Sequence, residues 1–117
     1  MTTYALLLNH APDRYDNVSD DEFMAIIKDY VAWVEEMTTK GIYKGGHKLS
    51  TSPGKLIDAS GGDVDIHDAP FAEMAEILGG IMLIEASDLN EATEIARSCP
   101  HLVHNTRLEI RQVDDVD

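Results

Sequence analysis

The chain is poor in cysteine, in tryptophan and phenylalanine, and in positively charged residues. Among its 117 residues there are one cysteine, one tryptophan and two phenylalanines, and lysine and arginine together number 9 against 22 acidic residues. Because Cys99 has no partner for an internal disulfide, a disulfide-stapled fold is excluded. The segment 1–10 also lacks the basic start and cleavage site of a signal peptide, so we expect a cytoplasmic protein with a reduced thiol.

The charge and the apolar runs exclude several classes of partner. A formal net charge of −13 repels phosphate backbones and anionic membranes, so we expect neither nucleic acid nor a membrane as a partner. No apolar stretch approaches the roughly 20 residues that span a bilayer. The paired glycines lack the spacing and the following helix of a phosphate loop, so we expect no nucleotide and no other large cofactor.

The first half of the chain reads as a strand followed by a long helix. Residues 4–8 are apolar on both alternating faces and predict a buried strand. Ser19 with Glu22 three residues later is a capping-box pattern, which predicts a helix that ends at Gly41. One apolar stripe recurs along this helix and is expected to face a sheet; it consists of Phe23, Ile27, Tyr30, Val34 and Met37.

The remaining elements alternate between short strands and one more helix. Asp88 with Glu91 caps the second helix, which Pro100 stops. Residues 71–78 suggest a short helical turn, and the acidic residues 114–117 are expected to form a mobile tail. The predicted strands cover residues 42–49, 80–86 and 108–113, with a hairpin formed by 55–59 and 64–67.

This order of elements predicts an α+β fold over residues 1–113, a ferredoxin-like split βαβ sandwich with an antiparallel sheet. Two helices cover only one face of such a sheet, yet the strands at residues 4–8 and 81–84 are apolar on both faces. We therefore predict a homodimer in which the sheets of two copies pack face to face.

The segment Asp68-Ala69-Pro70-Phe71-Ala72-Glu73, followed by Glu76 and Gly79-Gly80, resembles the YCII-related family. The resemblance is to the branch whose signature begins Asp-Gly-Pro-Phe-Ala-Glu, the DGPF type. It implies a dimeric α/β-barrel arrangement and allows lyase or isomerase chemistry without selecting a reaction. The chain departs from the signature with Ala69 for glycine, Ala75 for lysine and Ile81 for an aromatic residue.

Asp68 and His47 are the candidate catalytic residues. Asp68 is a carboxylate that would orient a histidine for proton transfer near neutral pH; alternatively, it caps the turn at Phe71. His67 precedes it and points to the opposite face if the segment is a regular strand, so we treat it as a ligand-binding candidate. His47 follows the Gly45-Gly46 pair, from which it would reach a cleft.

The last strand supplies the other ligand-binding candidates, His104, Arg107 and Arg111. His104 stands where the family often carries a histidine, and Arg111 with Glu109 matches its closing Glu-Xaa-Arg pattern. Since Arg107, Glu109 and Arg111 alternate along the strand, they share one face. The arginines would hold a carboxylate or phosphate bidentately, or they form an ion-pair ladder with Glu109 on a solvated edge.

No metal is expected, because Pro100 ends the helix that would have placed His101 and His104 on one face. Two functions remain open. The first is an enzyme that uses acid–base chemistry on a small organic acid or cyclic carbonyl compound, in a pocket between helices and sheet or at the dimer seam. The second is a non-catalytic dimeric module that binds a ligand or a partner protein in a regulatory setting.

Overall fold

The computed structural model describes residues 1–69, 71–103 and 106–115. Its strands and helices follow one another as in the sequence analysis. They are β1 (Thr2–His10), α1 (Asp20–Thr39), β2 (Tyr43–Lys48), β3 (Gly54–Asp58), β4 (Asp65–Ala69), a 3-10 turn (Phe71–Glu73), β5 (Ile77–Ala86), α2 (Leu89–Arg97) and β6 (Thr106–Gln112).

The main sheet has four strands in the order β2-β5-β1-β6, and each neighbouring pair is antiparallel. Leaving out the inserted β3-β4 hairpin, this is the strand order of a ferredoxin-like split βαβ fold. The α+β fold class is therefore confirmed. β3 and β4 form a separate two-stranded sheet, as the predicted hairpin required.

Both helices begin at the predicted caps. The Ser19 hydroxyl accepts a hydrogen bond from the backbone N–H of Glu22 at 3.2 Å, and the Asp88 carboxylate accepts one from Glu91 at 2.8 Å. Each cap satisfies one of the backbone donors that a helix start leaves unpaired. At the other end of α1, Gly41 adopts a positive φ of 73°, a conformation that glycine reaches without steric cost.

The core lies between the helices and one face of the sheet. Its strand residues are Tyr4, Leu6, Leu8, Met82, Ile84 and Ala86, and its helix residues are Trp33, Met37, Ala92 and Ala96. The indole N–H of Trp33 donates to the Ser98 hydroxyl at 2.8 Å, which ties α1 to the end of α2. Cys99 is buried at the edge of this core, and burial raises the pKa of its thiol. A buried, protonated thiol is a poor nucleophile.

Two sequence predictions are wrong in detail. The 3-10 turn stops at Glu73 and β5 already begins at Ile77, so most of residues 71–78 are not helical. The stripe on α1 also packs on the sheet over only part of its length: Met37 is buried, whereas Phe23 and Ile27 remain 36% and 39% exposed. Periodicity shows which side of a helix is apolar, but it does not show how closely each turn approaches the sheet.

The other face of the sheet carries the apolar residues Ala5, Leu7, Ile81 and Leu83, which are half-buried among their neighbours. Cross-strand pairing sets Leu7 opposite both Ile81 and Glu109, so these three residues share that face. Within the described ranges, neither helix covers it. We call this surface the open face. Among the same residues, no helix has the length and apolar character needed to cross a membrane.

Candidate functional site

A cavity of about 540 Å³ lies where the first turns of α1 stand away from the sheet. The β1–α1 connection winds through successive turns there, and the Tyr15 ring packs edge-on against Phe23 at 5.2 Å between ring centres. The apolar wall of the cavity includes Leu8, Phe23, Ile26, Ile27, Val31, Tyr43 and Met82. Its polar lining includes His10, Arg14, Tyr15, Tyr30, Lys48, Thr51 and His101.

Arg14 is a buried charged residue of the cavity lining, and only 8% of it is exposed. Its Nη1 lies 3.2 Å from Nδ1 of His101, and its Nη2 donates to the His101 carbonyl oxygen at 3.3 Å. The guanidinium carbon lies 4.8 Å from the centre of the Tyr15 ring. The Nε atom is buried without a hydrogen-bond partner among the described residues. Within the same ranges, no carboxylate lies within ion-pair distance of the guanidinium.

The tautomer of His101 follows from its neighbours. Its Nε2 lies 2.9 Å from the carbonyl oxygen of Asn9 and 3.0 Å from that of Arg107, so Nε2 carries the proton and donates. Nδ1 is therefore the acceptor that faces Arg14 Nη1. Burial lowers the pKa of His101, and the charge of Arg14 acts in the same direction, while the bonds to the two carbonyls oppose the shift. His101 thus remains neutral and holds Arg14 without neutralising it.

Tyr30 meets the same ring from α1. Its hydroxyl oxygen lies 3.1 Å from Nδ1 of His101, so Tyr30 and Arg14 both face the single lone pair of that nitrogen. Because only one of the two can donate to Nδ1 at a time, the other can donate to a molecule in the cavity. Burial raises the pKa of Tyr30 to about 12, although Arg14 opposes this shift through a hydrogen bond and its charge. Tyr30 therefore acts as a donor and not as a phenolate.

His10 occupies the end of β1 on the cavity side. Its Nδ1 lies 2.6 Å from the carbonyl oxygen of Ala11, so Nδ1 carries the proton in the neutral ring and Nε2 keeps its lone pair. The ring lies against Gly79, where an added Cβ would overlap its Cδ2 and Nε2 atoms. Glycine at this position gives the His10 ring its place in the cavity wall.

The family model of the YCII-related domain matches residues 2–116. The chain belongs to the YCII-related domain family. No curated protein matches the chain. The match covers nearly the whole sequence but does not distinguish branches, so assignment to the DGPF branch stays a prediction from residues 68–73.

The structure places Asp68 and His67 on β4, outside the cavity lining. The Asp68 carboxylate is 84% exposed and accepts a hydrogen bond from Lys55 Nζ at 2.5 Å, across the hairpin. His67 is exposed and pairs with Leu56. Neither residue meets a described histidine of the cavity, and the roles predicted for them remain predictions.

His47 lies in the cavity wall where β2 passes it, but its side chain belongs to another surface. The register pairs His47 with Ile81, and Ile81 pairs with Leu7. Because Ile81 and Leu7 lie on the open face, the side chain of His47 lies on that face too. Among the described residues, Asp68 bonds to Lys55, and no hydrogen bond joins it to His47. A catalytic role for His47 stays a prediction.

The arginines of β6 lie on the same open face, at the edge of the sheet. Their strand partners are Asn9 for Arg107 and Ala5 for Arg111. Arg111 Nε is 3.9 Å from a Glu109 oxygen and Arg107 Nε is 3.6 Å from a Glu76 oxygen, with both arginine side chains mostly exposed. The Arg111 contact is one pair of the predicted ladder with Glu109, whereas the recorded partner of Arg107 is Glu76. Ligand binding by the arginines stays a prediction. His104 lies outside the described residues.

Sequence reasoning missed Arg14, Tyr30 and His10, and it considered His101 only as a metal ligand. One available signal was that Arg14 is the single lysine or arginine among residues 1–27, in a stretch rich in aspartate. The sequence contains no signal for Tyr30 or His10, because their spacing is that of ordinary helix and strand residues. In the described ranges, no group of three histidine, cysteine or carboxylate side chains is arranged to hold a metal ion.

Proposed function

We propose that this protein binds a small organic anion in the cavity between α1 and the sheet and performs acid–base chemistry of the lyase or isomerase type on it. The observation that carries the proposal is Arg14, a buried cation held by a neutral histidine. A buried charge without an opposite charge is costly, and an anionic ligand would offset that cost. Arginine also suits planar carboxylates, because its donors form a rigid fork.

The walls of the cavity support a ligand with an apolar body. Aromatic and aliphatic side chains line it, including Phe23, Ile27 and Tyr43. Its volume of about 540 Å³ falls in the range of about 300–1,000 Å³ typical of small-molecule sites. A small organic acid or a cyclic carbonyl compound with an acidic group fits both properties.

The test compares arginine variants for binding of benzoate, phenylpyruvate and related carboxylates by calorimetry. Arg14→Met should weaken binding about tenfold to a hundredfold, because a hydrogen bond to a charged group contributes about 1.5–3 kcal/mol. Arg14→Lys keeps the charge but loses the fork, so it should fall between Arg14→Met and wild type.

Arg97→Met is the matched control, since the Arg97 side chain is 72% exposed on α2 and pairs with Glu94. It should bind like wild type. Equal affinity of Arg14→Met and wild type for every carboxylate that binds would remove Arg14 from the site. No measurable binding of any carboxylate by the wild type would refute the proposal.

A second candidate function is a dimeric ligand-binding or regulatory module without catalysis. The ion pair of Asp68 with Lys55 on an exposed hairpin favours it, since that carboxylate is not beside a cavity histidine. Binding without any turnover would be the expected result. Under either function we propose a homodimer in the dimeric α/β-barrel arrangement, and a cytoplasmic location remains a prediction from the lone cysteine.

A further inference from the structure

We infer that Nε2 of His10 is the proton acceptor of this site and removes a proton from a carbon next to the carbonyl group of an anion held at Arg14. The inference rests on the proposed function and narrows its ligand class to oxo acids with an acidic C–H bond. Three observations carry it: the place of the His10 ring in the cavity wall, its fixed tautomer and the packing of the ring against Gly79.

The tautomer decides which nitrogen reacts. Because Nδ1 donates to the carbonyl oxygen of Ala11, the lone pair of the neutral ring is on Nε2. No described residue forms a hydrogen bond with this nitrogen. Gly79 allows the ring to lie against β5, since any larger residue would overlap Cδ2 and Nε2. Backbone freedom is not the reason for this glycine, as its φ is not positive.

A base needs a group that stabilises the charge it creates. Proton removal next to a carbonyl places negative charge on the carbonyl oxygen, and donors aimed at that oxygen lower the barrier. The Tyr30 hydroxyl and the guanidinium of Arg14 line the same cavity and both meet the ring of His101. The site thus combines a base on β1, His10, with two donors, Tyr30 on α1 and Arg14 on the connection between β1 and α1.

The step is balanced without an added oxidant or reductant. The C–H bond breaks, its proton bonds to Nε2 of His10, and its electron pair becomes the C=C bond of an enolate as the carbonyl π pair moves to oxygen. Tyr30 and Arg14 donate to this oxygen. The proton on Nε2 of His10 then exchanges with solvent and a solvent-derived proton is delivered to the same carbon, which gives proton exchange, or the original proton is delivered to another atom of the enolate, which gives isomerisation.

The experiment follows exchange of the benzylic protons of phenylpyruvate in D₂O by NMR, with affinity measured in parallel by calorimetry. Wild type should exchange these protons faster than buffer alone. His10→Gln should lower the protein-dependent rate about 10²- to 10⁴-fold, the usual contribution of a general base, while the affinity changes less than about threefold.

A second variant displaces the ring without removing it. Gly79→Ala should lose exchange to a similar extent, because the new Cβ takes the space of the His10 ring. Gly61→Ala is its control, since a Cβ at Gly61 meets nothing within 4 Å, and it should exchange like wild type. Melting curves of all variants report whether they fold.

The outcomes separate the two proposals. Binding of phenylpyruvate without exchange above buffer would overturn the role of His10 and leave the anion site standing. Exchange that persists in folded His10→Gln would also overturn that role. Failure of phenylpyruvate to bind while other carboxylates bind would overturn the inference, and failure of every carboxylate to bind would overturn the anion site as well. Loss of exchange in both His10→Gln and Gly79→Ala with binding retained would support it.

Discussion

At the scale of single residues, the site depends on a histidine that the fold keeps neutral. His101 is 1% exposed and donates through Nε2 to backbone carbonyls, so a second proton on Nδ1 would face the Arg14 guanidinium. Burial lowers its pKa, and the charge of Arg14 acts in the same direction. The Tyr30 hydroxyl also meets Nδ1 and stays protonated. Neutral His101 therefore positions Arg14 for an anion, whereas protonated His101 would repel the Arg14 guanidinium.

This neutrality predicts how stability depends on pH. The unfolded chain protonates His101 near its ordinary pKa of about 6.5, whereas the folded chain does so only at lower pH. The unfolded state thus binds more protons as the pH falls, so the His101 contribution to the free energy of unfolding should be fully present above about pH 7 and decrease as the pH falls to about pH 5.

Urea denaturation at several pH values measures this effect. His101→Gln lowers stability at all pH values because it loses buried hydrogen bonds, but its stability should vary less with pH over this interval. His67→Gln, on the exposed hairpin, is the control and should keep the wild-type dependence. An equally steep dependence in His101→Gln would show that other groups cause it.

At the scale of elements, the β3-β4 hairpin is an arm whose strands pair only with each other in the described structure. Its apolar side chains are largely exposed, with Leu56 at 55% and Ile57, Val64 and Ile66 at 66%. Its two ends are adjacent, since Gly54 pairs with Ala69. The arm also carries Asp68. Removal of the whole arm therefore tests whether folding depends on the arm and whether turnover depends on Asp68.

Replacing residues 54–69 by Gly-Ser-Gly should leave the four-stranded sheet folded, because the core residues lie outside this segment. We expect the melting temperature to change by less than about 5 °C, as for surface changes of about 0.5–1 kcal/mol. Circular dichroism and calorimetry check folding and anion binding. Unfolding of the shortened chain would mean that the arm is part of the core. Loss of turnover with binding retained would support a catalytic role for Asp68.

At the scale of the whole molecule, the fold leaves one sheet face without a covering layer among the described residues. Ala5, Leu7, Ile81 and Leu83 form an apolar centre there, and Arg107, Glu109 and Arg111 form a charged row beside it. A sheet face of this kind is buried in stable α+β proteins. A second copy would supply the same apolar face, and its Arg107, Glu109 and Arg111 could form ion pairs with those of the first copy. This complementarity supports the proposed homodimer.

Leu7→Glu should convert the dimer to a monomer, because each copy would place a new carboxylate in the apolar centre of the contact. Light scattering after gel filtration at micromolar concentration measures the mass. Met24→Glu is the control, since Met24 is 53% exposed on α1 and should leave the dimer intact. A monomeric wild-type mass would contradict the dimer, and a dimeric Leu7→Glu would place the contact on another face.

The sequence by itself determined the local structure and the family. Alternating apolar residues, the caps at Ser19 and Asp88 and the glycine at position 41 predict β1, α1 and α2, since each signal depends on neighbouring residues alone. Only the tertiary structure decided the site. Arg14 and His101 are 87 positions apart, and their contact exists because α1 stands away from the sheet and leaves space for a buried guanidinium. No local pattern specifies that gap, because it results from how side chains of four separate segments pack together.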